Sequence, residues 1–183
     1  AAMADELRAW LADEAEKLGV EPDRYSVVEG DHSSVLMPWV MMSVPPSNGL
    51  GLVLHDPNGA PNLALLEAIV REPHLKKFDV AVYVQATSLK RVLNLPEQYD
   101  KAGWLPLDQA LRRVKAHWVV RTPTGSNQYA LCVGSNGRLP GYWSKQHFWP
   151  SDSERGHMIL EKLTFTAGQR QRLVQPAGLF DDL

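Results

Sequence analysis

The chain has 183 residues, 44% hydrophobic and 22% charged, with a formal net charge of −2. That composition suits one globular domain with a buried core and excludes a disordered or low-complexity chain. No run reaches the ~18 uninterrupted apolar residues of a membrane-spanning helix, and a single cysteine excludes an internal disulfide or a cysteine-built zinc site within one chain.

The acidic opening Ala1-Ala2-Met3-Ala4-Asp5 lacks the basic-then-apolar layout of a secretion signal. A soluble cytoplasmic protein is therefore expected, with residues 1–4 an expression remnant or a disordered start. Leu7, Trp10, Leu11, Ala15 and Leu18 then recur at helical spacing, and Gly19 stands as the stop. Tyr25–Val28 predicts a short strand. Ser34–Ser43 is apolar and carries Pro38, which predicts an edge or broken strand. Leu50–His55 predicts a strand, Asp56–Gly59 a turn, Asn62 the cap of a helix to about Arg71, and Phe78–Gln85 a second strand. This is the grammar of a βαβ crossover with parallel strands, and near-continuous apolar strands belong in a sheet covered on both faces. Ser88 should cap a helix over Leu89–Leu95.

Leu107–Ala116 predicts a helix whose last turns carry Arg112, Arg113 and Lys115, where cations suit the helix dipole. Trp118–Thr122 and Gln128–Val133 predict a hairpin around Pro123–Asn127, with Cys132 a buried, inert thiol in its second strand. Glu154–Leu163, capped by Ser151 or Asp152, should be the last helix, and Pro176–Leu183 a loose tail. The expectation is an α/β (α+β) fold in a single domain spanning 1–183. Its mixed sheet has five to seven strands, with the parallel βαβ pair at its centre, an antiparallel hairpin toward one side and flanking helices.

Charge divides along the chain. Residues 1–80 hold 13 acidic and 6 basic side chains, whereas residues 81–183 hold 8 and 13. A basic second half is suited to an anionic partner, because lysine and arginine neutralise phosphates and release counterions. Between Leu107 and Trp149, Arg112, Arg113, Lys115, Arg121, Arg138 and Lys145 interleave with Trp118, Tyr129, Tyr142, Trp143, Phe148 and Trp149. Cations for phosphates beside aromatic faces for bases point to single-stranded nucleic acid, with Tyr142 and Trp143 the aromatics offered to bases.

Within that segment, Val119–Val133 (VVRTPTGSNQYALCV) resembles the second hairpin motif of archaeo-eukaryotic-type primase-polymerases and the related replication primases of plasmids. Thr122, Pro123, Gly125 and Gln128 match its strand, Thr/Ser-Pro-Gly turn and following His or Gln. The resemblance implies a primase-like, nucleotide-handling domain of a mobile element. The turn's N–H groups and the hydroxyls of Thr122, Thr124 and Ser126 would form a phosphate cradle, helped by Arg121, with Gln128 facing the nucleotide. No cofactor is fixed by these residues, with Mg²⁺ the candidate. The family's pair of metal-binding acids is not matched, since Trp104-Leu105-Pro106-Leu107-Asp108 offers only Asp108. Two-metal phosphoryl transfer needs several carboxylates, so the resemblance implies a binding derivative or a fragment.

Other readings stand beside this one. Glu29, Asp31 and His32 form one acid-and-histidine grouping and Asp152, Glu154 and His157 another, each able to ligate a divalent cation or to be a solvated turn. His117 or His147 could serve as general base of a small metal-independent ribonuclease. The acidic first half (Glu14, Glu16, Glu21, Asp23, Glu29, Asp31) could face a basic protein partner, as an inhibitor or immunity-type protein does.

Overall fold

The computed structural model describes residues 2–43, 50–93, 106–122, 129–139 and 141–174. The chain divides into two compact units, 1–45 and 46–183. Among the described residues, no helix is long and apolar enough to cross a membrane.

In the first unit, α1 runs over Ala2–Leu18, so residues 2–4, expected to be loose, form its first turn. Gly19, at φ 65°, lets the chain turn back so that the Val20 N–H reaches the Ala15 carbonyl at 2.8 Å, a left-handed helix end. Lys17 pairs with Asp13 at 2.6 Å and Glu14 at 2.9 Å, and these hydrogen bonds raise its pKa.

Tyr25–Val28 pairs with no strand. The expected edge strand after it is instead helix α2, His32–Ser43. The Asp31 carbonyl accepts the Ser34 and Val35 N–H groups, both at 3.0 Å, and the Ser34 hydroxyl at 2.8 Å, which starts the helix. Pro38 removes one internal hydrogen bond without stopping the helix. The segment is apolar on every side, so its periodicity could not separate helix from strand.

The second unit is built on five strands: β1 (Leu52–His55), β2 (Asp79–Gln85), β3 (His117–Arg121), β4 (Tyr129–Ser135) and β5 (Phe148–Pro150). Their order is β1-β2-β4-β3-β5. β1 and β2 are parallel, joined through α3 (Leu63–Arg71), and every other pairing is antiparallel. The fold is thus α+β with a mixed sheet, as the sequence implies. The parallel pair is at one edge, however, and β4 is central. β2 offers seven residues for pairing; β4 takes six of them, while the four-residue β1 closes the other side. Edge position also leaves Leu52 and Leu54 60% and 61% exposed, so β1 is not covered on both faces.

Helices fill in one face. α4 (Ala86–Leu93) starts directly after β2, with the Ser88 hydroxyl donating to Gln85 Oε1 inside its first turn and not acting as the cap. α5 spans Pro106–Val114, with proline at the position where its missing N–H costs nothing. α6 (Glu154–Thr164) is capped by Ser153, whose Oγ accepts the Gly156 N–H at 3.1 Å, and not by Ser151 or Asp152. α7 covers Ala167–Val174, and like β5 it has no sequence signal strong enough to predict it. Residues 94–105, the hairpin loop 123–128 and the tail 175–183 lie outside the described residues.

Strand alternation separates the two faces of the sheet. Val80, Val82, Val84, Trp118, Val120 and Cys132 turn to one side and are 0–3% exposed. The Trp118 indole N–H is shared between the carbonyls of Leu111 (2.8 Å) and Lys115 (3.0 Å), which fixes α5 over that side. Gly134, opposite Trp118, is required there, because a Cβ would lie 2.6 Å from the indole ring. Leu66, Ile69, Leu111, Leu160 and Leu163 complete the core. On the other side, Ala81, Val119, Val133 and Phe148 form a smaller cluster. A short 3-10 segment, Gly141–Gln146, brings Trp143 onto it, edge-on to Phe148 with ring centroids 5.0 Å apart.

Candidate nucleic-acid interface

The second face is only partly covered. At the hairpin end of the sheet, β2 presents half-buried Tyr83 and Gln85, β4 presents Tyr129 and Leu131, and β3 presents exposed Arg121. Register places Tyr83 against Leu131 and Gln85 against Tyr129, so these groups are neighbours on one surface. Tyr129 is 49% exposed, and Gln85 donates to its hydroxyl at 3.1 Å. The Arg121 guanidinium lies 5.9 Å from the Phe148 ring centroid, within reach of a cation–π contact. Thr122 follows at the edge, its Oγ1 accepting the Trp149 indole N–H at 3.1 Å, and Arg155 stacks over the other part of that indole at 4.4 Å.

At the opposite end of β3 lies a concave cleft of about 160 Å³. His117, which shares its face with Val119 and Arg121, lines it together with Arg112 from α5, Arg138 after β4, and Ser151 and Asp152 between β5 and α6. Asp108, 7% exposed, holds the Arg112 Nε at 2.9 Å. Ser151 is 4% exposed, and its N–H binds the Trp118 carbonyl at 2.9 Å, so this wall is rigidly placed. Strand rise puts His117 and Arg121 ~13 Å apart along β3.

The candidates from sequence are sorted by this geometry. Arg112, Arg113 and Arg121 are exposed. Lys115 is not available to phosphates: it is 1% exposed, its ammonium donates to the Lys76 carbonyl at 3.0 Å, and burial lowers its pKa. It sits one residue past the end of α5, where the chain turns into the sheet and its stem is enclosed. Trp143 is half-buried and packs against Phe148 in the second-face cluster. Thr124, Gly125, Ser126 and Gln128 lie outside the described residues, as does the Tyr142 side chain.

Of the two histidines, His117 lines the cleft. His147 is exposed in a left-handed turn at φ 61°, its carbonyl accepting the Thr122 N–H at 2.9 Å, and it is not among the cleft residues. Cys132 is fully buried and its thiol is pushed up to about 12, the inert state expected of it. Asp108, the acid in the primase comparison, belongs to the first turn of a helix and is engaged with Arg112. Among the described residues no three His, Cys, Asp or Glu side chains come together, so Asp152, Glu154 and His157 form no ligand set; the His32 side chain lies outside the described residues.

Tyr83, and the grouping of His117 with Arg138 and Asp152, escaped sequence reading. Alternation along β4 could have singled out Tyr129 and Leu131, but only pairing register brings Tyr83 beside them. No protein-family model, curated protein or solved structure matches the chain.

Proposed function

We propose that this protein binds single-stranded nucleic acid on the second face of its sheet. The observation carrying this reading is the set of Tyr83, Tyr129, Leu131 and Arg121 on one face of the sheet at its hairpin end, where Tyr129 is 49% exposed and Arg121 is exposed. Half-buried Tyr83 and exposed Tyr129 on adjacent strands give bases a stacking surface, and a neighbouring guanidinium supplies charge for the backbone. Arg113 and Lys145 are also exposed in this unit and add to its cationic surface. The primase-like hairpin adds weight, since Thr122 and the 123–128 loop connect β3 to β4 at the same end of the sheet. Binding, not strand synthesis, is the activity proposed, because Asp108 lacks its acidic partner and is held by Arg112.

The test is fluorescence anisotropy with labelled single-stranded DNA, RNA and duplex DNA at ~50 and ~200 mM salt, a range over which phosphate-driven binding weakens strongly. Tyr129→Ala should weaken single-strand binding about five-fold or more, since a stacked base is worth about 1–3 kcal/mol. Tyr129→Phe, which keeps the ring, should bind like the parent chain. Equal affinities for all three would overturn the stacking surface.

A second reading, a protein-binding module, is favoured by the first unit. It exposes Trp10 (57%), Met41 (49%) and Met42 (88%) and is rich in acids, with Glu16, Glu21 and Asp23 exposed. Exposed apolar side chains in a unit where one sign of charge predominates suit a protein partner. Absence of salt-sensitive nucleic-acid binding in the same titration would favour it.

A further inference from the structure

From the cleft at the His117 end of β3 we infer a specificity pocket for a guanine base, which rests on the single-strand reading above and deepens it. Its lining is polar in both senses. Arg112 and Arg138 bring donors only, Asp152 brings acceptors, His117 and Ser151 can do either, and Val119, Leu139 and Pro150 supply apolar wall. At about 160 Å³ the cleft has room for the six-membered ring of a base, the part of guanine that carries O6, N1 and N2, by comparison with the ~150 Å³ that accepts a single aromatic ring in an engineered cavity. Its open side leaves room for the rest of a nucleotide.

Charge decides between the ligands that arginines usually hold. Arg112 is engaged by Asp108 at 2.9 Å, and Arg138 shares the cleft with the Asp152 carboxylate. The four charges cancel. A phosphate entering this site would meet no net positive charge among these four groups, and the Asp152 carboxylate would oppose it. A neutral ligand carrying acceptors on one edge and donors on the next has no such conflict. Among the bases that is guanine: O6 and N7 accept from a guanidinium, the commonest specific arginine contact, while N1–H and the N2 amino group donate to a carboxylate. Adenine presents a donor where O6 would be, and uracil lacks the paired donors.

Position agrees with this assignment. His117 and Arg121 lie on one face of one strand, ~13 Å apart. A strand of nucleic acid stacked on Tyr129 and Tyr83 could therefore place another of its bases in the cleft.

Anisotropy with two labelled RNA hexamers, UUUUUU and UUGUUU, separates this inference from the reading beneath it. The all-uridine hexamer reports the sheet face, and the ratio of the two affinities reports the cleft. The guanine hexamer should bind at least ten-fold tighter, with the inosine hexamer UUIUUU between the two. Asp152→Asn should reduce the ten-fold advantage below three-fold while leaving the all-uridine affinity unchanged. Asp152 is exposed, so this isosteric change should leave the melting curve in place. A phosphate seat predicts the opposite sign: Asp152→Asn would tighten both hexamers, and inorganic phosphate would compete. That result, or equal affinity for the two hexamers, overturns the guanine pocket. Failure of both hexamers to bind overturns the sheet-face reading, and guanosine monophosphate then tests the cleft alone. Asp152-dependent binding of that nucleotide in preference to uridine monophosphate would uphold the pocket, and its absence would overturn it.

Discussion

Lys115 is 1% exposed, and its pKa lies below the ordinary 10.5 because burial disfavours the ammonium. The unfolded chain keeps that proton up to 10.5, so between the depressed native value and 10.5 the unfolded state binds more protons. Stability contributed by this group must therefore rise with pH across that window. Lys115→Met should abolish the rise, so urea unfolding at pH 7 and pH 10 should show the parent gaining on the variant; parallel behaviour would refute it. The substitution itself should shift stability by only about 1 kcal/mol. The Lys76 carbonyl keeps its second donor, Asn136 Nδ2, at 3.0 Å. Cys132 gives a companion prediction. With its thiol 0% exposed and pushed up to about 12, a thiol reagent should label the native protein only as fast as the sheet opens, and the denatured chain at once. Burial of Cys132 was legible in its apolar run. That of Lys115 was not, since a lysine after a helix ordinarily reaches water.

Elements here are set by caps and by close approaches. Asn62 accepts the Leu65 N–H at 3.0 Å, and Ser153 accepts that of Gly156 at 3.1 Å. Replacing either with alanine should cost about 1 kcal/mol in thermal or urea unfolding. Gly156→Ala should cost much more than a cap, because the added Cβ would sit 1.9 Å from the Pro150 carbonyl oxygen, which is backbone and cannot move aside without shifting β5. Gly134→Ala should cost about 1–3 kcal/mol by displacing the Trp118 ring from its two carbonyls. Trp fluorescence would report that displacement. Asn62 and the helix after it were readable from sequence, because a capping residue precedes a periodic apolar face. α2 was not. Its residues are apolar in every direction, and Pro38 obscured the one remaining signal.

At the scale of the molecule, charge follows the division into units. Residues 1–45 carry 9 acidic and 3 basic side chains, and residues 46–183 carry 12 and 16. Residues 46–183 expressed alone should therefore bind single-stranded nucleic acid at least as tightly as the whole chain, with a steep salt dependence. Weaker binding by a folded 46–183 fragment, checked by circular dichroism, would place part of the interface in the first unit.

Local chemistry by itself determined the parallel β1–α3–β2 unit, the β3–β4 hairpin, helices α1, α3, α5 and α6, and the inert cysteine. Each rests on capping residues, turns and apolar periods contained within a stretch of 34 consecutive residues or fewer. Strand order, the grouping of Tyr83 with Tyr129 and the cleft were decided only in three dimensions. Nothing in the run Phe78–Gln85 says that β4 will lie beside it and β1 at the rim. Nor does any local pattern bring Arg112, His117, Arg138 and Asp152, spread over forty residues, around one space. Those outcomes depend on which strand edges find each other and which face the helices cover, and pairing and burial between distant segments set both.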